Sequence, residues 1–192
     1  MRPNQNTSTR LGEWYQLVKT PYFYEEPTVS AGRQAEAWLQ SLIEKHINYK
    51  GAQLFAGKRV SSSKRRGKRE IDLIIVTPTK LYIIEVKNWS GQLFVHGGDW
   101  VHIKRDGRQK PYHNLVEYNN EKRTILLEYL SEQGIKLASE QISQKVIFPN
   151  RKLQVDNLIH DNPEVITADK LMVFLNQQKR NNISTKMVCS II

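Results

Sequence analysis

Residues Glu70–Lys87, EIDLIIVTPTKLYIIEVK, hold two apolar runs joined at Thr77-Pro78-Thr79-Lys80, with the acidic residues at the end remote from the join. A two- or four-residue connection centred on Pro78-Thr79 gives one hairpin register. In it Ile74 faces Ile83, Asp72 faces Glu85 and Glu70 faces Lys87; an odd-length loop would shift every pair by one. Directly opposed residues have Cβ atoms roughly 4.5–5.5 Å apart, where like charges repel. A divalent cation would offset that repulsion, with Lys87 two residues from Glu85 on the same face.

Alternation puts Ile71, Leu73, Ile75 and Tyr82, Ile84, Val86 on one face, with Ile74, Val76, Leu81 and Ile83 on the other. Strands apolar on both faces belong in the middle of a covered sheet, where unpaired carboxylates are costly. An ordinary hairpin with a frayed, charged end is the plainer alternative. The burial of both faces argues for a site.

The chain has 192 residues, enough for one domain with a real core. Its 39% hydrophobic and 25% charged residues fit a globular protein. The formal net charge is +10, and Lys58, Arg59, Lys64, Arg65, Arg66, Lys68 and Arg69 supply seven of those charges within one short segment. Such a patch favours a polyanion: nucleic acid first, an anionic membrane surface second. The plainer alternative for this run is a solvated loop, but it feeds directly into the strand carrying Asp72. The single cysteine, Cys189, excludes an intramolecular disulfide framework, and the five histidines show no metal-ligand spacing. With no apolar run near membrane-spanning length and no signal-peptide core, the expectation is a cytoplasmic protein without membrane insertion.

Residues 1–27 read as a polar arm with aromatic clusters, residues 28–180 as the domain and 181–192 as a tail. Ala35, Trp38, Leu39, Leu42, Ile43, His46 and Ile47 recur at helical spacing and predict a helix from about Ser30 to Ile47. Glu36, beside that stripe, reads locally as a first-turn glutamate favoured by the helix dipole. A strand at 53–60 precedes the basic loop. After Lys87, strands at 92–96 and 100–104, turning at Gly97-Gly98-Asp99, predict a meander extending the same sheet. Trp89 and Trp100 could stack on a base, but packing is the better expectation for both. Residues 114–133 predict a long helix buried through Leu115, Val116, Ile125, Leu126, Tyr129 and Leu130 and ended by Gly134. A strand at 145–148 and a helix at 168–178, with Leu171, Phe174 and Leu175 inward, complete the pattern. The fold class is α/β: a sandwich around a central mixed sheet with an antiparallel meander, flanked by helices.

Asp72 followed by Glu85-Val86-Lys87 resembles the D…ExK signature of the PD-(D/E)XK nuclease superfamily, whose fold is the restriction-endonuclease-like sandwich. Gly32-x-x-Ala35-Glu36, Ile71-Asp72, Ile84-Glu85-Val86-Lys87-Asn88-Trp89-x-Gly91, Gly98-x-Trp100, Asn114 and Val146-Ile147-Phe148-Pro149 sharpen the likeness to the nuclease-related domain (NERD) family. The resemblance spans roughly residues 28–178. Two positions depart from it: the family usually has Asn-Pro opening the long helix and Gln four residues after the Asn, where this chain has Leu115 and Tyr118.

The resemblance implies a Mg²⁺- or Mn²⁺-dependent phosphodiesterase acting on nucleic acid, DNA favoured over RNA, with low sequence specificity. Asp72 and Glu85 would hold the metal through hard oxygen donors. Lys87, short of carboxylate partners to pair it fully, would orient the attacking water and stabilise the transition state. Glu36 would be the helix-borne fourth member, a base or a ligand for a second metal, with Gln92 and Asn114 as neighbours. The basic segment would receive the phosphate backbone. A nucleic-acid-binding module with little turnover, or a scaffold using the basic loop on another polyanion, are the competing readings.

Overall fold

The computed structural model describes residues 27–47, 52–61 and 68–180. The predicted arm up to residue 26, the tail, and Lys64, Arg65 and Arg66 of the basic loop lie outside the described residues, while Pro27, the last residue of the predicted arm, opens a helix. The chain divides into residues 1–30 and 31–192. Of the first unit, only the opening turn of helix α1 is described.

Helix α1 (Pro27–Ile47) begins three residues before the predicted start, at a proline, which the first turn of a helix tolerates. Strand β1 (Gln53–Val60) pairs antiparallel with β2 (Arg69–Val76), and β2 with β3 (Leu81–Val86). The connection Thr77–Lys80 is closed by the Thr77 N–H on the Lys80 carbonyl at 2.8 Å. Ile74 faces Ile83 and Val76 faces Leu81, the predicted register. Strand β7 (Ile142–Phe148) runs parallel to β3, and β9 (Val165–Thr167) parallel to β7, giving a mixed five-stranded sheet of order β1-β2-β3-β7-β9.

Both faces of this sheet are covered, which is why β2 and β3 are apolar on both. Leu39, Ile43 and Ile47 of α1, with Leu171, Phe174 and Leu175 of α4 (Leu171–Arg180), pack on Leu73, Ile75, Tyr82, Ile84 and Val86. On the opposite face Ile125, Leu126 and Leu130 of α2 (Leu115–Glu132) meet Ile74, Val76, Leu81 and Ile83. Each such side chain contributes about 1.5–3 kcal/mol by leaving water. The sandwich was legible in the sequence. Among the described residues, no helix is long and apolar enough to cross a membrane.

Strict alternation fails at Ile71, which joins the α2-side cluster and not Leu73 and Ile75. The break coincides with the point where Gly57, at φ +57°, interrupts the β1–β2 ladder opposite Asp72. Trp38 is 51% exposed and Tyr129 is 38% exposed, so neither is the core residue expected. In α1 the buried line is 39-43-47, and Trp38 lies one residue, about 100° around the helix, off it.

The meander does not extend the central sheet. Strands β4 (Gly91–His96), β5 (Asp99–Ile103), β6 (Gln109–Tyr112) and β8 (Leu153–Val155) form a separate sheet of order β6-β5-β4-β8. Its Leu93 and Trp100 share a third core cluster with Leu115, Val116, Phe148, Ile159 and Val165. Strands β8 and β9 span three residues each, and helix α3 (Asn157–His160) four, too short to show a period. Strand β6 escaped prediction because it holds Pro111, which only an edge strand accommodates.

Gly91 opens β4 at φ +102°, and a Cβ there would lie 2.1 Å from the Ile103 carbonyl oxygen. Positive φ and a clash with backbone both penalise a side chain. Gly91→Ala is expected to destabilise the protein by about 2–4 kcal/mol. Urea unfolding measures it, and an unchanged midpoint would show that the strand end relaxes without cost.

Candidate active site

The β2–β3 ladder stops at Leu73–Ile84, one pair short of the carboxylates. Instead of a backbone rung, the Asp72 Oδ2 accepts the Val86 N–H at 2.7 Å. This bond holds Asp72 against the end of β3. Past Val86, the Lys87 N–H turns to the Ile147 carbonyl of β7 at 2.9 Å. Asn88 donates from Nδ2 to the Ala31 carbonyl at 3.0 Å, tying the strand end to the N-terminal part of α1, the helix that carries Glu36.

Glu85 is 3% exposed and projects toward α2. Its Oε1 receives the Lys87 ammonium and its Oε2 the ammonium of Lys122 from α2, itself 4% exposed. Burial alone pushes the Glu85 carboxyl up; Lys87 and Lys122 together outweigh it and hold the group below the usual carboxylate range. Asp72 moves the other way. Burial raises it and the Glu85 charge raises it further, against the lowering effect of the Val86 N–H and the two lysines. Glu36 is also raised, first by burial and next by Asp72, with Glu70 and Glu85 adding to the effect and Lys87 opposing it. Asp72, Glu85 and Glu36 thus interact electrostatically, with Glu70 adding to the field on Glu36.

Several sequence expectations change here. Glu70 does not pair with Lys87, because the β2–β3 ladder ends at Leu73–Ile84; on its other side it pairs across β1–β2 with Arg59, whose Nη2 lies 2.9 Å from Oε2. Lys87 is not short of a partner. Desolvation would lower its pKa, but Glu85 and Asp72 raise it above the ordinary lysine value. Glu36 is not in a first turn, because α1 starts at Pro27, so the helix dipole does not account for it. Asn114 caps α2, its Oδ1 accepting from the Val116 N–H at 3.0 Å. Gln92 sits on the second sheet beside Gln154, 3.4 Å from its Oε1.

Trp89 stacks on His102 with ring centroids 4.6 Å apart and planes 7° from parallel, and Trp100 is buried near Phe148. Both tryptophans pack. In the basic segment, Lys58 lies over the Phe55 ring at 5.7 Å and Arg59 is committed to Glu70. Lys68 and Arg69 lead into β2, at the sheet end that carries Asp72.

Sequence reasoning missed Lys122 and Asn119. Both are buried on α2, where Asn119 Nδ2 donates to the Lys145 carbonyl at 3.1 Å. Their positions were available: 116, 119, 122 and 126 continue the helical stripe between the apolar residues recognised at its ends. A lysine in that line signals a buried charge. The Tyr118 ring, at the position where the family usually has Gln, lies 5.1 Å from the Lys122 ammonium.

Among the described residues, no group of three or more His, Cys, Asp and Glu side chains is arranged to hold a metal ion. Two carboxylates under mutual repulsion do fit a hard divalent cation. Mg²⁺ takes one or two carboxylates from a protein and keeps water on its other positions.

The chain matches the nuclease-related domain family over residues 31–149, more than half of its length. It is also 32% identical over 109 residues to a probable kinase, PglW, of Streptomyces coelicolor, a match covering 57% of this chain and 7% of that protein. No solved structure matches the chain significantly. With the D…ExK residues gathered at the end of a sheet sandwiched by helices, the chain belongs to the nuclease-related domain family.

Proposed function

We propose that this domain is a metal-dependent nuclease that hydrolyses phosphodiester bonds in DNA with low sequence specificity. The observation that carries the reading is the convergence of Asp72, Glu85 and Lys87 at one buried sheet end, with Glu36 brought in from α1. Asp72 and Glu85 would hold Mg²⁺ or Mn²⁺, which supplies a Lewis acid and a lowered water pKa when bound. Lys87 keeps a positive charge on the Glu85 side of the site, placed to stabilise negative charge building on phosphoryl oxygens. The raised pKa of Glu36 brings its carboxylate nearer the range of a general base at neutral pH. Lys58, Lys68 and Arg69 would guide the phosphate backbone toward the carboxylates, contacts that position without reading sequence. The kinase in the relative's name is not carried over, since the match covers 7% of that protein.

A second reading has its own support. Both Glu85 oxygens are committed to ammoniums, as in a module that binds nucleic acid and turns over poorly. Supercoiled plasmid, linear duplex, single-stranded DNA and RNA, each with Mg²⁺, Mn²⁺ or EDTA, separate the two. Metal-dependent cutting that falls by roughly 10²-fold or more in Lys87→Ala is the expected result. An inert wild type that still shifts DNA on a gel, with salt-sensitive affinity, would hand the conclusion to the binding module.

A further inference from the structure

Lys122 plays no part in the D…ExK signature, yet it is as deeply buried as Glu85 and bonded to it directly. A buried ammonium is costly unless an anion compensates it. Charges at the sheet end nearly cancel as they stand. Asp72 and Glu85 bring two negative charges, and Lys87 and Lys122 two positive ones. A divalent cation added to that neutral set leaves two positive charges in excess, or one with Glu36 counted. A phosphate bound alongside removes the excess.

Geometry makes the same demand. Each Glu85 oxygen carries an ammonium, so a cation approaching Glu85 meets two positive charges that must shift or be offset. The Lys122 side chain is 5% exposed against 27% for Lys87, so solvent offers Lys122 little compensation. The Tyr118 ring provides one resting place near its present position, and a phosphate oxygen would provide a stronger one.

We propose that Lys122 is an internal counter-ion that occupies Glu85 in the metal-free protein and makes divalent-cation binding depend on a phosphate bound beside it. The inference rests on the reading of Asp72 and Glu85 as the metal-holding carboxylates. In this arrangement metal and nucleic acid bind cooperatively, and the set of Asp72, Glu85, Lys87 and Lys122 stays neutral without either.

The test is Mn²⁺ affinity, read by calorimetry and by the electron paramagnetic resonance of free Mn²⁺, with no turnover involved. Wild type, Lys122→Met and Asp72→Asn are titrated alone and with a short phosphorothioate oligodeoxynucleotide, corrected for Mn²⁺ held by the oligonucleotide itself. Wild type should bind Mn²⁺ weakly alone and about 10-fold more tightly with the oligonucleotide, a coupling of ordinary allosteric size. Lys122→Met should bind Mn²⁺ about 10-fold more tightly alone and lose most of the coupling. Equal affinity and equal coupling in wild type and Lys122→Met would overturn the inference. Mn²⁺ binding that survives Asp72→Asn would overturn the metal-site reading and the inference with it. Loss in Asp72→Asn with no change in Lys122→Met would overturn the counter-ion role alone. Lys122→Gln, which retains a donor for Glu85 without the charge, gives the same comparison if Lys122→Met fails to fold by circular dichroism.

Discussion

Glu85→Ala is expected to abolish cleavage and to destabilise the fold by about 3–5 kcal/mol, the usual cost of breaking a buried ion pair from one side. The substitution strands two ammoniums, one of them almost wholly buried. Asp72 lies close enough to feel both lysines and recovers part of the loss, which favours the lower end of the range. The pH dependence has a definite sign. Because the folded-state pKa of Glu85 is depressed, its contribution is fully present above the ordinary glutamate range and disappears as pH falls through the lower folded value. Wild type and Glu85→Ala should therefore differ most at neutral pH, and their urea midpoints should converge in acid. A midpoint near that of wild type at neutral pH would mean that the lysines find other partners. The same result bears on the nuclease assay: lost activity in Glu85→Ala mixes lost chemistry with lost structure, which is why Lys87→Ala is the cleaner variant.

The register of the β2–β3 hairpin was legible because its loop length is even, and its place inside the sheet because both of its faces are apolar. The long helices were legible wherever three or more apolar residues shared one stripe. What escaped the sequence has identifiable causes. Local pattern carries no information about which sheet a meander joins; Leu93 and Trp100 are equally apolar in either arrangement, and the choice falls to packing against α2 and β7. The carboxylates Asp72 and Glu85 stood out as charges in an apolar run. Lys122 did not, because a lysine on a helix is usually a solvated residue whose stem covers apolar surface. Its place in the buried stripe was the one sequence signal against that default, and the matching depth of Glu85 across the α2–β3 contact shows it to be an internal charge. Glu36 illustrates the reverse case: its place in α1 was read correctly, but the cause assigned to it failed once the helix started at Pro27.

Asp72→Asn is expected to stabilise the protein while removing activity, the opposite of Glu85→Ala on the fold and the same on function. Asparagine retains a side-chain oxygen to accept the Val86 N–H, so the anchor between β2 and β3 survives. What disappears is a charge that the folded state disfavours, through burial and through Glu85. A carboxylate whose folded pKa is raised opposes folding once it ionises. The penalty is absent below the ordinary aspartate value of about 3.9 and grows as pH rises through the higher folded value. The gain should therefore be about 0.5–2 kcal/mol at neutral pH, the usual scale of a stabilising substitution, and shrink toward zero in acid. Thermal melts at the two pH values read it directly. An equal gain at both would assign the effect to packing, and a loss at neutral pH would mean that the lysines already hold Asp72 in its charged form. Stabilisation confined to neutral pH, together with lost Mn²⁺ binding, would show that the site holds two mutually repelling carboxylates at the expense of stability because a cation is to bind between them.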